Sequence, residues 1–584
     1  MMFTPFVFIA RQSPTFRCRS QSRNSGVYCL PKKKDYSSYS KEELIKHIHA
    51  LEKRKKYGLV WDEERTKEKF EDEAKGKLPV LVEDKKREIK SKDSEKPTHI
   101  LIEGDNYHAL SVLNYTHSKS IDVIYIDPPY NTGNKDFRYN DSYVDKEDSY
   151  RHSKWLSFMN NRLKLARRLL TNRGVIFISI DDNELPQLRL LCNEIFQENN
   201  VEIYIWQVKD ETEGAMPKTA KYTVRKEHEY IVACFNSKQQ IKFNKYPDNK
   251  YASIDSEWSN PDNDPRGPWM SGNFSRGAGK AGSKYFTITS PSGNTYSRNW
   301  AVSEDEYKEL NEDNRIYFSK NGKGVPRIKI FKNETKLSIQ SSIFSNLKSS
   351  LTGKKELTEI IDTNLIDHPK PTELVKRIIT IGAKQNSIVL DFFAGSGTTL
   401  HSVAKLNLED GGNRQCILVT NNEGNICTEV CYPRVKKVIE GYKSTGRKEV
   451  VSVEGLGGNL KYYKTNFVGS EPTHRNKKLL TDKSIEMLCI RENTFDEVLS
   501  KKDISIFKSE KKYTAILFNE IKIEEFKRKI NKLKLPVSVY VFSLEGDDFR
   551  EDFEDLQNEI TLCSIPEAIL KVYRRIYETA KPRK

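Results

Sequence analysis

The chain has 584 residues, which is too many for a single hydrophobic core and predicts two to four domains. Its net charge of +16 favours a polyanionic partner, with a merely soluble basic surface as the alternative, and its 28 tyrosines and 26 phenylalanines supply faces on which bases can stack. No run of about 18 consecutive apolar residues occurs, so the sequence excludes a transmembrane helix and predicts no membrane partner.

The beginning of the chain differs in composition from the rest. Residues 1–34 contain arginines, lysines and serines but no Asp or Glu, a composition typical of organellar transit peptides. An upstream start codon that adds a disordered tail over residues 1–38 explains the same composition, and we favour it, with organellar targeting as the alternative. Ser40 precedes an acidic pair, which is a helix-start signal. Residues 39–98 are therefore predicted to form a helical arm followed by a charged linker.

Residues 99–236 and 351–450 both alternate short apolar runs with segments of helical spacing. A strand, a helix and a strand with short connections imply parallel pairing. The two segments are therefore predicted to be the two halves of one doubly wound, mostly parallel, Rossmann-like α/β sheet. The predicted strands are 100–102, 121–126, 175–180, 388–390 and 416–419, and the predicted helices are 155–170 and 371–381.

The segment between these halves, residues 237–350, has a different composition. It is rich in glycine, serine, asparagine and lysine, with aromatic residues interleaved. Basic residues among aromatic ones suit phosphate contacts combined with base readout, and a small β-rich domain with an ordinary core is the alternative. Residues 277–284 have the glycine spacing of a phosphate loop but lack lysine after the second glycine, so we predict a mobile basic loop there.

Two loops follow predicted strands, and they carry the residues most suited to chemistry. Asp127-Pro128-Pro129-Tyr130 offers a carboxylate, a turn fixed by proline and an aromatic ring, and Phe393–Gly397 contains a Gly-x-Gly run that lets the backbone approach a ligand. Loops at neighbouring strand ends of an open α/β sheet form one crevice. Each motif alone is a weak signal, since the first is also an ordinary turn after a strand, but together they predict one site.

Six segments together resemble the beta-order adenine-N6 DNA methyltransferases, and within them the modification (Mod) subunits of type III restriction-modification systems. The resemblance extends from about residue 39 to the end of the chain. It rests on residues 127–133 (DPPYNTG), 391–399 (DFFAGSGTT), 368–371 (HPKP), 264–269 (DPRGPW), 324–329 (GVPRIK) and 565–570 (IPEAIL).

The resemblance implies that the first loop is catalytic. An adenine amine is a poor nucleophile because its lone pair is delocalised, so two acceptors must draw it toward tetrahedral geometry. The Asp127 carboxylate and the Pro128 carbonyl are expected to accept its two N–H groups, with Asp127 stabilising the developing positive charge. Tyr130 is expected to stack on a base flipped from the duplex. Asp127, Pro128, Pro129 and Tyr130 are thus the predicted catalytic residues.

The resemblance also implies S-adenosyl-L-methionine as the cofactor. Phe393 is expected to contact its adenosine part, and Gly395 and Gly397 are expected to admit its amino-acid part. Asp391, Asp105 and Lys370 are further predicted cofactor-binding residues. An acid that binds the ribose is expected directly after the strand at 416–419, but the chain continues Thr-Asn-Asn before Glu423. Either Glu423, slightly displaced, or one of these asparagines is therefore the candidate for that role. No metal is predicted.

The position of residues 237–350 implies a target-recognition domain, and the resemblance implies double-stranded DNA as substrate, a homodimer and a restriction (Res) subunit as partner. Residues 451–584 are predicted to form a C-terminal α/β domain for dimerisation or partner binding, or a structural cap. The nine cysteines are scattered without metal spacing, which favours a reducing cytoplasm.

Three functions remain open from the sequence. The first is adenine-N6 methylation, the second is methylation of the N4 amine of cytosine or of RNA on the same fold, and the third is a non-catalytic DNA-recognition subunit. Methylation at cytosine C5 is excluded because the Pro-Cys nucleophile dipeptide is absent. A translocating ATPase is excluded because the chain has no Gly-x4-Gly-Lys-Ser/Thr motif.

Overall fold

The chain forms two units in the computed structural model, residues 1–58 and 59–584. In the first, helix α1 (Lys41–Glu52) begins as predicted after Ser40, whose hydroxyl accepts from the Glu43 amide (3.2 Å) while the Glu43 carboxylate accepts from the Ser40 amide (2.8 Å). The predicted tail 1–38 lies outside the described residues. These are 39–52, 59–63, 65–68, 76–91, 95–134, 136–140, 142–208, 227–248, 258–276, 284–332, 334, 336–345, 347, 349–363, 365–366, 368–444, 450–544, 549–556 and 559–580.

The second unit begins with alternating strands and helices. Short β-branched runs such as residues 121–126 form its strands, and the helices between them carry one apolar stripe each. The elements up to residue 235 are β1 (Lys77–Glu83), β2 (Thr98–Glu103), α2 (Asn106–Thr116), β3 (Ile121–Ile126), β4 (Arg138–Tyr139), β5 (Ser142–Tyr143), α3 (Arg151–Leu169), β6 (Leu170–Ile180), α4 (Leu185–Phe196), β7 (Val201–Gln207) and β8 (His228–Phe235).

Small antiparallel sheets follow in the inserted segment. Its core is a separate aromatic cluster around the buried Trp300 and Phe274. The predicted loop at 277–284 falls outside the described residues except for Lys284. The elements are β9 (Tyr246–Asp248), β10 (Trp269–Gly272), β11 (Tyr285–Thr289), β12 (Thr295–Asn299), α5 (Glu304–Glu312), β13 (Ile316–Phe318), α6 (Ser319–Gly322), β14 (Pro326–Phe331), β15 (Lys336–Ser338) and β16 (Ile343–Phe344).

The alternation then resumes and leads into a second, smaller sheet. The elements are α7 (Ser350–Ile360), α8 (Thr372–Gly382), β17 (Ile388–Asp391), α9 (Thr398–Asp410), β18 (Gln415–Thr420), α10 (Tyr432–Glu440), β19 (Gly441–Lys443), β20 (Ser452–Glu454), β21 (Asn459–Gly469), α11 (His474–Asp482), α12 (Ile485–Glu492), β22 (Asp496–Ser500), β23 (Ile504–Lys508), β24 (Tyr513–Leu517), α13 (Ile523–Ile530), β25 (Val537–Phe542), α14 (Arg550–Phe553), β26 (Ile560–Ile565) and α15 (Glu567–Ala580).

The main sheet has ten strands in the order β1-β21-β2-β18-β17-β3-β6-β8-β7-β16. The pairs from β21 through β6 are all parallel, as is the pair of β7 with β16. Strand β1 pairs antiparallel with β21, and β8 pairs antiparallel with both β6 and β7. The predicted doubly wound, mostly parallel α/β fold is therefore confirmed. The five predicted strands lie in this sheet, so the two halves of the sequence share it.

Alternate residues of each central strand face different helix layers. In β2, Ile100 and Ile102 belong to the core beneath α2, α3 and α4, whereas Leu101 belongs to the core beneath α8, α9 and α10. Because side chains of a strand alternate between its two faces, this pattern places helices on both sides of the sheet. The carboxyl ends of the central strands remain as the edge at which loops can form a site.

Two strands of the structure do not follow the predicted domain boundaries. The predicted linker between residues 62 and 97 contains β1, whose Leu78, Val80 and Leu81 are buried. Strand β21, which follows the predicted boundary at residue 451, is inserted between β1 and β2 of the main sheet. Both strands complete the edge of the main sheet, a pairing that the local apolar pattern does not specify.

The five-stranded C-terminal sheet has the order β22-β23-β24-β25-β26. One of its faces has its own core around Phe526 and Val539. The other face shares a core with the main sheet, because Ile516 and Tyr540 join the cluster that contains α2. Among the described residues, no helix is long and apolar enough to cross a membrane.

Candidate active site

The two predicted loops leave adjacent parallel strands at the same edge of the sheet. Val389 and Leu390 of β17 pair with Val123 and Ile124 of β3. Asp127 follows the last residue of β3 directly, and the Gly-x-Gly run follows β17. The crevice expected from the sequence is thus formed by neighbouring strand ends.

A buried lysine faces the carboxylate of the first loop. Lys370 is 6% exposed, and its Nζ lies 3.0 and 3.1 Å from the two oxygens of Asp127 and 3.6 Å from Oε2 of Glu229. Burial lowers the pKa of Lys370, but the charges of Asp127 and Glu229 outweigh it and raise that pKa above its ordinary value. The ammonium group therefore stays protonated between two carboxylates.

The tyrosine of the loop is fixed by the same group of charges. Its hydroxyl donates to Glu229 Oε2 at 3.1 Å, and Lys370 Nζ lies 4.8 Å from the centre of the Tyr130 ring. Burial, followed by the charges of Asp127 and Glu229, raises the pKa of Tyr130 well above its ordinary value. The phenol stays neutral, and its ring stands beside the Asp127 carboxylate.

The two prolines leave the loop with one carbonyl satisfied and one available. The indole Nε1 of Trp155 donates to the Pro129 carbonyl at 2.7 Å. Within the described part of the chain, no N–H group donates to the Pro128 carbonyl. Since proline has no N–H of its own, the loop presents acceptors without competing donors.

A buried carboxyl supports the loop from behind. Asn131, in the left-handed region (φ 57°), donates through Nδ2 to Glu184 Oε1 at 2.5 Å, and His152 Nδ1 lies 2.7 Å from the same oxygen. The Glu184 side chain is fully buried, and burial raises its pKa to about 8. Glu184 thus fixes Asn131, the residue that follows the Asp-Pro-Pro-Tyr run.

The second loop is held by Asp391. Its carboxylate accepts from the Phe393 amide at 2.9 Å and from the Thr399 hydroxyl at 2.5 Å. Burial raises the pKa of Asp391 to about 7, against the lowering effect of these hydrogen bonds. The structure therefore places Asp391 as a buried brace of the loop, and its predicted contact with the cofactor stays a prediction.

The two glycines of this loop differ in their surroundings. Gly395 has φ +48°, and a Cβ there would meet only the Phe393 carbonyl at 3.8 Å, so the space beside it is open. Gly397 has φ +76°, and a Cβ there would lie 3.1 Å from Val435 and 3.3 Å from the Cys431 sulfur. Gly395 is the glycine that can admit a ligand, whereas Gly397 permits close packing of helix α10.

A buried arginine lies behind the same loop. Arg434 donates to the hydroxyls of Ser396 (3.0 Å) and Thr398 (2.8 Å), and helix α9 begins there with no side-chain cap. Burial lowers the pKa of Arg434 to about 10. The nearby Cys431 is a buried free thiol, as is Cys427.

Both carboxylate oxygens of Asp105 contact other groups of the protein. It caps α2 by accepting from the Tyr107 amide at 2.8 Å, and its other oxygen lies 3.3 Å from the buried guanidinium of Arg162. That guanidinium also binds both oxygens of Glu68 at 2.9 Å. It lies 3.7 Å from the centre of the Phe158 ring. Asp105 retains 39% side-chain exposure, and its predicted contact with the cofactor stays a prediction.

Phe158 connects this ion cluster to the second loop. Its ring centroid lies 5.8 Å from that of Phe393 and 5.2 Å from that of Phe137. These aromatic contacts fix the predicted adenosine-binding ring from one side. The candidate ribose acid, Glu423, forms an exposed ion pair with Arg138 across the mouth of the crevice.

Four site residues were not found from the sequence: Glu229, Glu184, Arg162 and Arg434. Arg162 and Arg434 lie on helices with several other charged residues, and Glu184 directly precedes a helix, so nothing local marks these three side chains as buried. Arg162, for example, lies on a helix with five other lysines and arginines. A weak signal exists for Glu229 only, because it is a charged residue at the start of the otherwise apolar strand β8. In the described residues, no cluster of His, Cys, Asp and Glu has the arrangement of a metal site.

The fold and the site together define a class: an open, mostly parallel α/β sheet with an acidic Pro-Pro-Tyr loop and a Gly-x-Gly loop at adjacent strand ends. Residues 121–430 match the N6/N4 DNA methylase family. This match covers more than half of the 584 residues. The chain belongs to this family of DNA methylases.

Relatives include modification subunits, as the sequence resemblance predicted. The chain is 37% identical to the StyLTI Mod subunit of Salmonella typhimurium over 55% of its own length and 52% of that protein. It is 30% identical to the EcoPI Mod subunit of Escherichia phage P1 over 59% and 60% of the two chains. The chain thus matches between half and two thirds of the length of these relatives.

A solved structure of the PvuII cytosine-N4-specific DNA methyltransferase is 13% identical, with 58% of this chain and 88% of that chain covered and a TM-score of 0.29.

Proposed function

We propose that the chain transfers a methyl group from S-adenosyl-L-methionine to the N6 amine of adenine in double-stranded DNA. The observation that carries this proposal is the Asp127 carboxylate beside the available Pro128 carbonyl, facing the crevice that also contains the open space next to Gly395. Two acceptors next to a cofactor loop are what an exocyclic amine needs.

The proposed role of the first loop is to bind and polarise the amine. The Asp127 carboxylate accepts one N–H and the Pro128 carbonyl the other, so that the nitrogen lone pair turns toward the second loop. A carboxylate has about four lone-pair positions, so Asp127 can accept from the amine while it remains paired with Lys370. As the bond to carbon forms, Asp127 stabilises the positive charge on nitrogen.

The proposed role of Lys370 and Glu229 is to position Asp127. Without Glu229, the ammonium group of Lys370 would oppose the charge that develops on the amine. Glu229 lies 3.6 Å from Nζ and offsets that repulsion while leaving the ion pair in place. Tyr130, held by its hydrogen bond to Glu229, presents its ring for stacking on the flipped base.

The residues of the second loop fit the cofactor. The space beside Gly395 admits a ligand atom, the uncapped amides at the start of α9 suit a carboxylate, and the Phe393 ring offers an apolar surface to adenosine. When bound there, S-adenosyl-L-methionine supplies the electrophilic methyl group. Asp391 and Arg434 hold the loop, and Gly397, Asp105 and Lys370 are proposed to contribute further contacts.

We further propose that the chain is the modification subunit of a type III restriction-modification system. The names of its relatives support this role. In this proposal residues 237–350 recognise the target, the chain forms a homodimer, and a separate restriction subunit associates with it. The proposed location is the cytoplasm, where a bacterial system of this kind meets its DNA.

The second candidate is methylation of the N4 amine of cytosine, because the matching family includes both acceptors. The same two acceptors would bind either amine, and the base is decided by the shape of the pocket around Tyr130.

One experiment separates these candidates. The chain is expressed in cells that lack other adenine and cytosine methylases, and modified bases in their DNA are identified by single-molecule sequencing. N6-methyladenine at one sequence is the expected result, with an Asp127→Ala chain as the inactive control. N4-methylcytosine would replace the first candidate with the second, and unmodified DNA in cells with folded chain would contradict both.

A further inference from the structure

The inserted segment contains a two-stranded ribbon whose outer face exposes five of its six side chains. Strands β11 and β12 pair antiparallel over five residues each, from Tyr285 opposite Asn299 to Thr289 opposite Thr295. Side chains alternate between the two faces of such a ribbon. Its inner face packs Phe286 and Ile288 against the buried Trp300.

The outer face is polar along its whole length. Its two central residues, Thr287 and Ser297, are exposed, and their hydroxyl oxygens lie 2.8 Å apart. Four of the six residues carry hydroxyl groups on short side chains. The face consists of Tyr285, Thr287, Thr289, Thr295, Ser297 and Asn299.

The sequence around this ribbon contains basic residues but no acidic ones. The sequence from residue 265 to residue 303 contains no Asp or Glu, exposed Arg276 precedes β11, and Arg298, which pairs with Phe286, is exposed on the opposite face of the ribbon. The backbone amide of Arg276 donates to the Asn299 carbonyl at 2.9 Å, which places this arginine at the base of the ribbon. The nearest acidic element, helix α5, packs on the inner side, where Tyr307 contacts Phe286 at a centroid distance of 5.7 Å.

We propose that the outer face of the β11–β12 ribbon enters the major groove of the DNA duplex and reads base edges, while Arg276 at the base of the ribbon contacts a phosphate. This inference rests on the proposed function, because it names the surface by which residues 237–350 would recognise a target. An acid-free polar ribbon with an exposed arginine at its base is complementary to DNA. It is not complementary to an acidic or apolar protein surface.

The dimensions of the ribbon fit the groove. Five residues at about 3.3 Å each span roughly 17 Å, and two strands about 4.8 Å apart enter a groove about 12 Å wide and 8.5 Å deep. Threonine and serine hydroxyls can donate to or accept from base edges, and a threonine methyl can contact the methyl of thymine. The turn at the end of the ribbon away from Arg276 is held by the protein, since Ser292 Oγ donates to the Gly322 carbonyl at 2.6 Å, so the outer face and not the tip would lie against the bases.

The test removes single hydroxyls from the outer face of the full-length chain. Thr289→Val, Thr295→Val and Ser297→Ala keep side-chain size close to the original. Tyr296→Phe is the control on strand β12, because it removes an inward hydroxyl that donates to the Lys323 carbonyl at 2.6 Å. Duplexes that bind are selected from a randomised pool and sequenced. The outer variants are expected to lose about 5-fold to 150-fold of base preference at one position each. The Tyr296→Phe chain should select the parental sequence.

Several outcomes would overturn the ribbon proposal. An unchanged selected sequence in all three folded outer variants would show that bases are read elsewhere. An equal loss of affinity for every duplex would assign the face to phosphates alone, and a change in molecular mass without a change in selected sequence would assign it to a protein interface. A parent chain that selects no sequence would also contradict it.

The selection measures binding only, so it is independent of methyl transfer. If the parent chain selects a sequence that the outer variants relax but methylates no DNA, the ribbon proposal stands and the proposed enzymatic function fails. If the parent chain methylates one sequence and the outer variants retain it, the enzymatic function stands and the ribbon proposal fails.

Discussion

Replacing Asp127 with Asn tests the catalytic assignment most directly. The change keeps the size of the side chain and one acceptor oxygen but removes the negative charge beside the amine. At about 4 Å and an effective dielectric constant of about 20, a full positive charge on nitrogen interacts with the carboxylate by about 4 kcal/mol. Because only part of that charge has developed in the transition state, we expect kcat to fall by about 10² to 10³.

The same substitution should have a smaller, separable effect on stability. Lys370 is 6% exposed and would lose its closer carboxylate, while Glu229 at 3.6 Å and the remaining Asn oxygen would partly compensate. A loss of about 1 to 3 kcal/mol in the free energy of unfolding is expected. Adding Lys370→Met should recover part of this stability without restoring turnover.

The assay is single-turnover methyl transfer to a duplex at saturating cofactor, with cofactor and DNA affinities measured by calorimetry and by fluorescence anisotropy. Affinities should change by less than about fivefold, because the charge acts mainly as the transition state forms. Asp136→Asn is the matched control, since Asp136 lies in the same loop, is exposed and accepts from the Thr132 amide at 2.9 Å. Turnover within tenfold of the parent chain would refute the assignment of Asp127.

Three further predictions concern the cofactor loop, specificity and pH. Gly395→Leu should abolish S-adenosyl-L-methionine binding in calorimetry because the side chain would fill the open space beside the loop, with DNA affinity little changed. Exchanging residues 237–350 for those of a relative with another target should move the methylated sequence to the donor's while adenine stays the modified base, as sequencing of modified DNA would show. The pKa of Glu184 is about 8 in the folded state and has its ordinary value of 4.5 in the unfolded state. Between these two pH values Glu184 is therefore protonated in the folded state and ionised in the unfolded state. The contribution of Glu184 protonation to the free energy of unfolding is therefore fully present below about pH 4.5 and is lost as pH rises through 8, by up to about 5 kcal/mol. Denaturant unfolding of Glu184→Gln should show a flatter pH dependence.

Each of these predictions has a matched control. Gly411→Leu introduces the same residue at another left-handed glycine (φ +66°) with nothing within 4 Å, so it separates backbone strain from cofactor exclusion. Cofactor affinity equal in both leucine variants would place the cofactor elsewhere. An active chimera that keeps the parental sequence would place recognition outside residues 237–350. For pH, Glu194→Gln changes an exposed position on the same helix, and identical pH profiles for the two Gln variants would contradict the account of Glu184.

The sequence by itself determined the central strands and the two loops. Residues 121–126 form strand β3 with the predicted bounds, and the loops that follow β3 and β17 meet as expected. The reason is that strand periodicity and loop residues are local properties, and short connections between parallel strands leave few topologies. Adjacent strand ends then bring the two loops together wherever the insert lies.

Only the tertiary structure decided which charges surround those loops. Lys370 was expected at the cofactor, yet its ammonium group lies between Asp127 and Glu229, two residues separated from it by 243 and 141 positions. Likewise, β1 and β21 join the sheet although charged segments adjoin them in sequence. Contacts over such separations depend on the order of strands and on which side chains the core desolvates, and neither is encoded in a local pattern.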